Sequence, residues 1–173
     1  MKKIDDLREL FVEQLREQYD AERRKLAFLP ELRSFCKDPE LQHLVDHHIG
    51  TIKRQMEGLD LIFEMIGRTY RGEINKAMEG LILEGRELAG RCKEEVTRDM
   101  GMISTLSQLN HYNISAYTSL FIYSKRLEEI EVSVLLKETL EEKKSFDQEL
   151  YQLAHSLSEH ALDFSHGNKA YPS

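Results

Sequence analysis

Apolar residues recur at steps of three and four from Ile4 to about Leu157, the period of helices that each bury one stripe, and no segment alternates as a strand would. The first run, Ile4 to Leu29, brings Ile4, Leu7, Phe11, Leu15, Tyr19 and Glu22 near one face, and Pro30 is expected to kink or end it. Asp38 followed by Pro39 reads as an N-cap and first helical residue. A second helix should therefore run through Leu41, Leu44, His48, Thr51, Gln55, Leu59, Ile62 and Ile66, with Gly67 as its C′ residue. Arg68 to Glu73 reads as a loop, and Ile74 to Ala89 as a shorter helix with Ala77, Met78, Leu81, Ile82 and Leu88 as its stripe, closed by Gly90. From Lys93 to about Leu157 the pattern stays helical with no proline and only Gly101 as glycine. Unbroken, that segment would be a rod of ~100 Å, so the chain should reverse in the charged cluster Lys125 to Glu131, although no turn residue marks it. After His155 the composition turns polar, and residues 158–173 read as a frayed tail beyond a helical domain at 1–157. Four long helices and one short one predict an all-α, antiparallel four-helix bundle with an additional short helix.

Polar residues interrupt these stripes. On the fourth helix Ile103, Leu106, Asn110, Asn113, Tyr117 and Leu120 alternate steps of three and four, so two amides fall at core positions. The second helix places His48, Thr51 and Gln55 inward. The fifth places Val132, Leu135, Thr139, Glu142 or Lys143, and Phe146 inward, and Glu22 is the inward acid of the first. Unpaired burial would cost roughly 1 to 3 kcal/mol for each such group, so a shared polar layer is the simplest arrangement.

In ferritin-like bundles such a layer is a dimetal site, built from one Glu on each of two helices and a Glu and His three apart on each of the others. Here Glu22, His48 and Glu142 are the candidate ligands, with Glu84 and His111 outside them, while Thr51, Gln55, Asn110 and Asn113 are hydrogen-bonding members of the layer. Two readings stand. One Fe, Mn or Zn ion could sit on Glu22, His48 and Glu142 with water completing its shell. Alternatively the layer holds no metal, with Glu22 and Glu142 pairing an inward cation such as Lys143, which would replace the metal's charge. Asn110 and Asn113 are expected to face Glu22, His48 or Glu142 across the bundle. Two asparagines bring no negative charge to offset two divalent ions, so no two-metal centre is expected there.

Composition narrows the function classes. The chain has 173 residues, 40% hydrophobic and 32% charged, with 3 Pro and 9 Gly, which excludes collagen-like, disordered and disulfide-scaffold proteins. Such a length supports a core unaided, so any metal would serve function, not folding. A net charge of −7 with scattered Lys and Arg leaves no basic stripe for nucleic acid, and acidic faces are repelled by anionic membranes. Cys36 and Cys92 lack CxxC spacing and suit a reducing cytosol. No apolar run is long enough to span a bilayer, and Met1 to Arg24 is amphipathic, unlike a signal peptide, so a cytoplasmic protein is expected. No nucleophile with a spaced base, phosphate loop or dinucleotide fingerprint is present. His43 and His47 read as surface residues, and Met56, Met65, Met78, Met100 and Met102 as core fillers. Tyr112, Tyr117 and Tyr123 read as core or interface aromatics, and His155, His160 and His166 share no helical face.

The stretches YDAE (Tyr19 to Glu22), AMEGLILEG (Ala77 to Gly85), RDMGMIS (Arg98 to Ser104), NHYNISAY (Asn110 to Tyr117) and LLKETLEEK (Leu135 to Lys143) resemble those of the bacterial YciE/YciF family of ferritin-like proteins. The resemblance spans roughly residues 4 to 157. It implies a five-helix ferritin-like fold, association as a homodimer and a link to bacterial stress responses, with no established reaction. Family members usually read EHYEIA where this chain has Asn110 to Ser115, and tend to carry HLEET where it has His48 to Ile52. They often have three consecutive glutamates where it has Glu141, Glu142 and Lys143. These departures fall on the inward positions already singled out. The expected function is a stress-associated structural or interaction protein with a degraded or absent dimetal site. The alternative is a metal-binding protein with oxidase, peroxidase or metal-handling activity. Phe11, Phe28, Phe35, Tyr117 and Phe121, more large apolar groups than one slim core needs, add to the expectation of a homodimer.

Overall fold

A computed structural model of the chain describes residues 3–72 and 74–166, residues 160–166 by backbone alone. Five helices follow in order: α1 (Leu7–Phe35), α2 (Pro39–Met65), α3 (Lys76–Arg91), α4 (Glu95–Arg126) and α5 (Ile130–His166), with no strand among the described residues. Their ends follow from local chemistry. Asp6, Asp38 and Asn75 each accept a hydrogen bond from a first-turn backbone N–H, that of Glu9, Leu41 and Met78 respectively. Gly67 closes α2 in the left-handed conformation, φ 61°, and the Arg68 N–H donates back to the Phe63 carbonyl at 3.0 Å. The reversal expected between Lys125 and Glu131 is a turn over Leu127–Glu129, in which Glu128 takes φ 61°.

Several boundaries differ from expectation: α1 begins at Leu7, three residues after Ile4, and α3 at Lys76, two after Ile74, with Asn75 as its cap. α1 runs through Pro30 to Phe35. Pro30 is exposed and Leu32 on the following turn is fully buried, so the hydrogen bond missing at the proline lies on the outer face while packing continues on the inner one. Gly90 lies inside α3, which ends at Arg91 with Cys92 as its cap. The expected tail from residue 158 begins as helix, because α5 continues to His166. Residues 167–173, and Glu73 at the end of the expected loop, lie outside the described residues.

The four long helices form a ring in which α1 packs on α2 and α4, and α5 on α4 and α2, while α3 lies outside against α1 and α4. Asp99 near the start of α4 ties this frame together, accepting from the backbone N–H groups of Lys37 and Asp38 at 2.8 and 2.9 Å, at the α1–α2 turn. At the other end Arg8 of α1 pairs with Glu129 at the α4–α5 turn. Thus α2 and α4 run parallel, joined by the one long crossover that contains α3, the connectivity of ferritin-type bundles.

The core has two apolar clusters. Phe28, Leu29, Leu32, Val45, Ile52 and Leu106 belong to one, and Phe11, Leu15, Leu59, Tyr117, Leu120 and Leu136 to the other. On α5 the inward series is Val132, Leu136, Leu140, Lys143, Phe146 and Leu150, all buried. Leu135 and Thr139, expected inward, are only half-buried, since the apolar doublet at 135 and 136 and the choice at 142 and 143 resolve to the second member each time. Met78 and Met102 are fully buried, but Met65 at the end of α2 is 43% exposed and fills no core. Phe11, Phe28 and Tyr117 are buried within this chain's own core, and so supply no surface for association. No helix among the described residues is long and apolar enough to cross a membrane.

Candidate functional site

Between the two apolar clusters the four long helices all turn polar side chains inward. α1 contributes Gln18, Glu22 and Lys25, α2 His48 and Gln55, α4 Asn110 and Asn113, and α5 Lys143, each no more than 4% exposed. Glu22 is the centre of the layer. Its Oε1 lies 2.5 Å from the Lys143 Nζ, and its Oε2 lies 2.9 Å from the Lys25 Nζ, one turn along α1. Gln18 Nε2 donates to Glu22 Oε1 and to Asn113 Oδ1, joining α1 to α4. Asn110 Nδ2 donates to the backbone carbonyl of Lys143 at 2.9 Å, joining α4 to α5. Lys143 Nζ also donates to Gln55 Oε1, and Gln55 Nε2 to Glu142 Oε2, which carries the network to Arg54 at the surface. The Lys143 ammonium also sits over the Tyr117 ring, 5.0 Å from its centroid.

The charges are those of two cations sharing one carboxylate. Burial alone would raise the Glu22 pKa, but Lys143 and Lys25 outweigh it and hold the group down to about 2. Burial, aided by the Lys143 charge and only partly offset by Glu22, pushes Lys25 down to about 7. Burial and then the same two ammonium groups push His48 well below its ordinary value, so it is neutral in the fold. Its ring stacks on Phe146, centroids 3.6 Å apart and planes 4° apart. Tyr117 is pushed well above its ordinary value by burial and by the Glu22 charge.

The structure gathers most of the residues singled out by periodicity, but not as one set of ligands. Glu22, His48, Gln55, Asn110 and Asn113 are all in the buried layer. Glu142 is at its edge, its side chain 40% exposed and bound to Arg54 and Gln55, and Thr51 is half-buried because Ile52 takes the inward position. Asn113 reaches Glu22 only through Gln18, and neither asparagine bonds His48 or Glu142. Glu84 and His111 lie on the surface, His111 paired with Asp147, and His43 and His47 are exposed as expected. Two members of the layer, Gln18 and Lys25, are not among the residues singled out in the sequence. Their signal was present: Leu15, Gln18, Glu22, Lys25, Leu29 and Leu32 repeat the same steps of three and four that mark Asn110 and Asn113.

Fold and layer together define a four-helix bundle with a charged interior and a single long crossover. The profile of the family described as domain of unknown function (DUF892) matches residues 6–163, and the chain belongs to this family. It is 30% identical over 155 residues to Protein YciF of Escherichia coli K12, covering 89% of this chain and 92% of that one. The crystal structure of the E. coli stress protein YciF superposes with a TM-score of 0.87 at 27% identity, over 90% of this chain and 99% of that one. YcfI of Rhodopseudomonas palustris gives 0.84 at 25% identity, over 87% and 96%. A protein of Xanthomonas campestris pv. campestris gives 0.72 at 16% identity, over 92% and 98%, a likeness of fold.

The residues of the layer do not fit a dimetal centre. Both oxygens of Glu22 face ammonium groups, which repel metal ions and cannot ligate them while protonated. Asn110 and Asn113 bring no charge, and Glu142 is turned to the edge. Among the described residues no three of His, Cys, Asp and Glu come together in a way that could hold a metal ion.

Proposed function

We propose that the protein is a stress-associated bundle of the YciF type with a structural or interaction role, whose central layer is closed by ion pairs in place of a dimetal site. One observation carries this reading: Glu22, buried to 0% exposure, is held between Lys25 and Lys143. A pair of divalent ions would bring four positive charges into this space. Here the chain supplies two on its own side chains, one of them at the position where relatives often carry a third glutamate. The layer then serves to hold four helices in one register, since a buried charge tolerates no slip of its partner. The family relationship to YciF supports the stress association, and the acidic charge, with no membrane-spanning helix among the described residues, supports residence in the cytoplasm. A homodimer is part of the same proposal. It is supported by Ile122, Ile130 and Val134, which are 56%, 74% and 50% exposed near the α4–α5 turn. Sedimentation at micromolar concentration should give a dimer, and a monomer would end that part.

The test of the metal-free reading compares untagged wild type with Asn110→Glu/Asn113→Glu/Lys143→Glu, each offered ferrous iron or manganese and analysed for bound metal. The wild type should retain none after desalting, and the variant should bind. If the wild type binds two equivalents tightly and shows an oxo-bridged iron absorption after peroxide, the reading fails, and oxidase, peroxidase or metal-handling activity takes its place.

A further inference from the structure

Six polar atoms around Glu22, each fully buried, make no well-aligned hydrogen bond within the protein: Gln18 Oε1, Glu22 Oε2, Lys25 Nζ, Asn110 Oδ1, Asn113 Nδ2 and the Tyr117 hydroxyl, which lies beside Gln18 and Glu22. Lys25 and Glu22 meet each other as ions at 2.9 Å, but without the alignment of a hydrogen bond. All six come from the two neighbouring helices α1 and α4. Lys25 and Glu22 serve each other as ions, and leaving the other four unserved would cost roughly 1 to 3 kcal/mol for each, a large share of the stability of a protein of this size.

The chemistry of the six atoms selects their ligand. Gln18 Oε1, Glu22 Oε2 and Asn110 Oδ1 only accept, Lys25 Nζ and Asn113 Nδ2 only donate, and the Tyr117 hydroxyl does both. An anion would serve the donors and strand the acceptors, and a cation the reverse. Water serves both, and a buried water with two to four such partners is stable. The same side of the bundle offers an entrance. A polar groove over α1 and α4, lined by Gln14, Glu17, Ser115 and Ser119, has Gln18 as its floor. Gln18 is 1% exposed and turns its amide nitrogen inward to Glu22 and Asn113. It is thus the stopper between solvent and the charged layer.

We infer that the seam between α1 and α4 is a water-binding site at the heart of the bundle, in which ordered water bridges these groups around Glu22 and exchanges with solvent past Gln18. The inference goes beyond the metal-free reading and does not depend on it. It is tested on the wild-type protein by an atomic-resolution crystal structure and by water exchange of the Asn113 side-chain amide followed by NMR. Density for water bonded to at least two of the six atoms is expected, and a dry layer would overturn the site. Gln18→Leu, and separately Ser115→Leu/Ser119→Leu to cover the groove from outside, should slow the Asn113 exchange by about tenfold or more. The second variant alters only exposed or half-buried positions and keeps the test alive if the first fails to fold. Unchanged exchange in the folded variants would overturn the entrance at Gln18.

Discussion

Lys143 of α5 and Glu22 of α1 meet at 2.5 Å in the centre of the bundle, although their helices stand at opposite corners of the four-helix ring. The contact spans the molecule's diagonal, so it reports on the position of both helix pairs at once. Because Lys25 also leans on Glu22, the three charges are unequal in what their loss would do. Glu22→Gln leaves the buried Lys143 and Lys25 without their counter-charge and should cost about 3 to 5 kcal/mol. Lys143→Met leaves a neutral Glu22–Lys25 pair but removes the Gln55 hydrogen bond and the contact with Tyr117, and should cost less. Lys25→Met removes the excess charge and should be the mildest. Urea unfolding of the three variants checks the order, and Lys25→Met as the most damaging would refute the account.

The same imbalance makes stability depend on pH in a defined direction. Lys25 titrates at about 7 in the fold against an ordinary 10.5, so between those values the unfolded chain holds more protons and stability rises with pH. Below about pH 7 the cost of the buried ammonium is present in full. His48, neutral in the fold, adds a further loss as pH falls below its ordinary 6.5. Glu22, held at about 2, stabilises fully above its ordinary 4.5, and that contribution is lost as pH falls toward 2. Unfolding free energy should therefore climb between neutral and mildly alkaline pH in the wild type. In Lys25→Met this part of the climb should disappear, and equal slopes in the two proteins would contradict it.

At Gly85 α3 approaches α4 so closely that a Cβ would lie 2.5 Å from Thr105 Cγ2. Thr105 is buried and its hydroxyl donates to the Gly101 carbonyl, so it has little freedom to retreat. Gly85→Ala should destabilise by roughly 1 to 3 kcal/mol through overpacking, against the usual helix preference for alanine. Gly80→Ala on the same helix meets nothing within 4 Å and should stabilise by about 0.5 to 1 kcal/mol. Thr105→Ser in the Gly85→Ala background removes the clashing methyl and should recover most of the loss. Thermal unfolding without that recovery would locate the strain elsewhere.

How far these features could be read from the sequence depends on whether one local rule decided them. Asn110 and Asn113 were legible because a single alternation of threes and fours runs unbroken through their helix, and both are fully buried. Asp38, Pro39 and Gly67 marked the ends of α2 by cap chemistry that acts within a few residues. The register of α5 is ambiguous because Leu135 and Leu136, then Glu142 and Lys143, offer two candidates per turn, and only packing against α2 and α4 chooses. Lys25 was hidden for another reason. A lysine in an apolar stripe is normally taken to reach solvent, and its burial here is made tolerable by the pairing with Glu22 one turn away, against the repulsion of Lys143. Pro30 shows the limit of a local rule: an exposed proline costs one hydrogen bond, and the buried Leu29 and Leu32 on either side hold the helix together.

The α4–α5 turn was expected in the right place without a residue to explain it, and the structure shows what that absence costs. Glu128 takes φ 61°, the same left-handed value as Gly67 after α2, but carries a side chain there. For an ordinary residue that conformation is disfavoured by ~1 to 2 kcal/mol, part of which glycine would give back as extra freedom in the unfolded chain. Glu128→Gly should therefore stabilise by about 0.5 to 1 kcal/mol. Gly67→Ala, where nothing lies within 4 Å of the added Cβ, should destabilise by a similar amount through backbone strain alone. The ion pair between Arg8 and Glu129 remains available in Glu128→Gly, so the change isolates the backbone term. Opposite shifts of thermal midpoint in the two variants are the expected result. A lowered midpoint for Glu128→Gly would mean that the glutamate side chain stabilises the turn by more than its backbone costs.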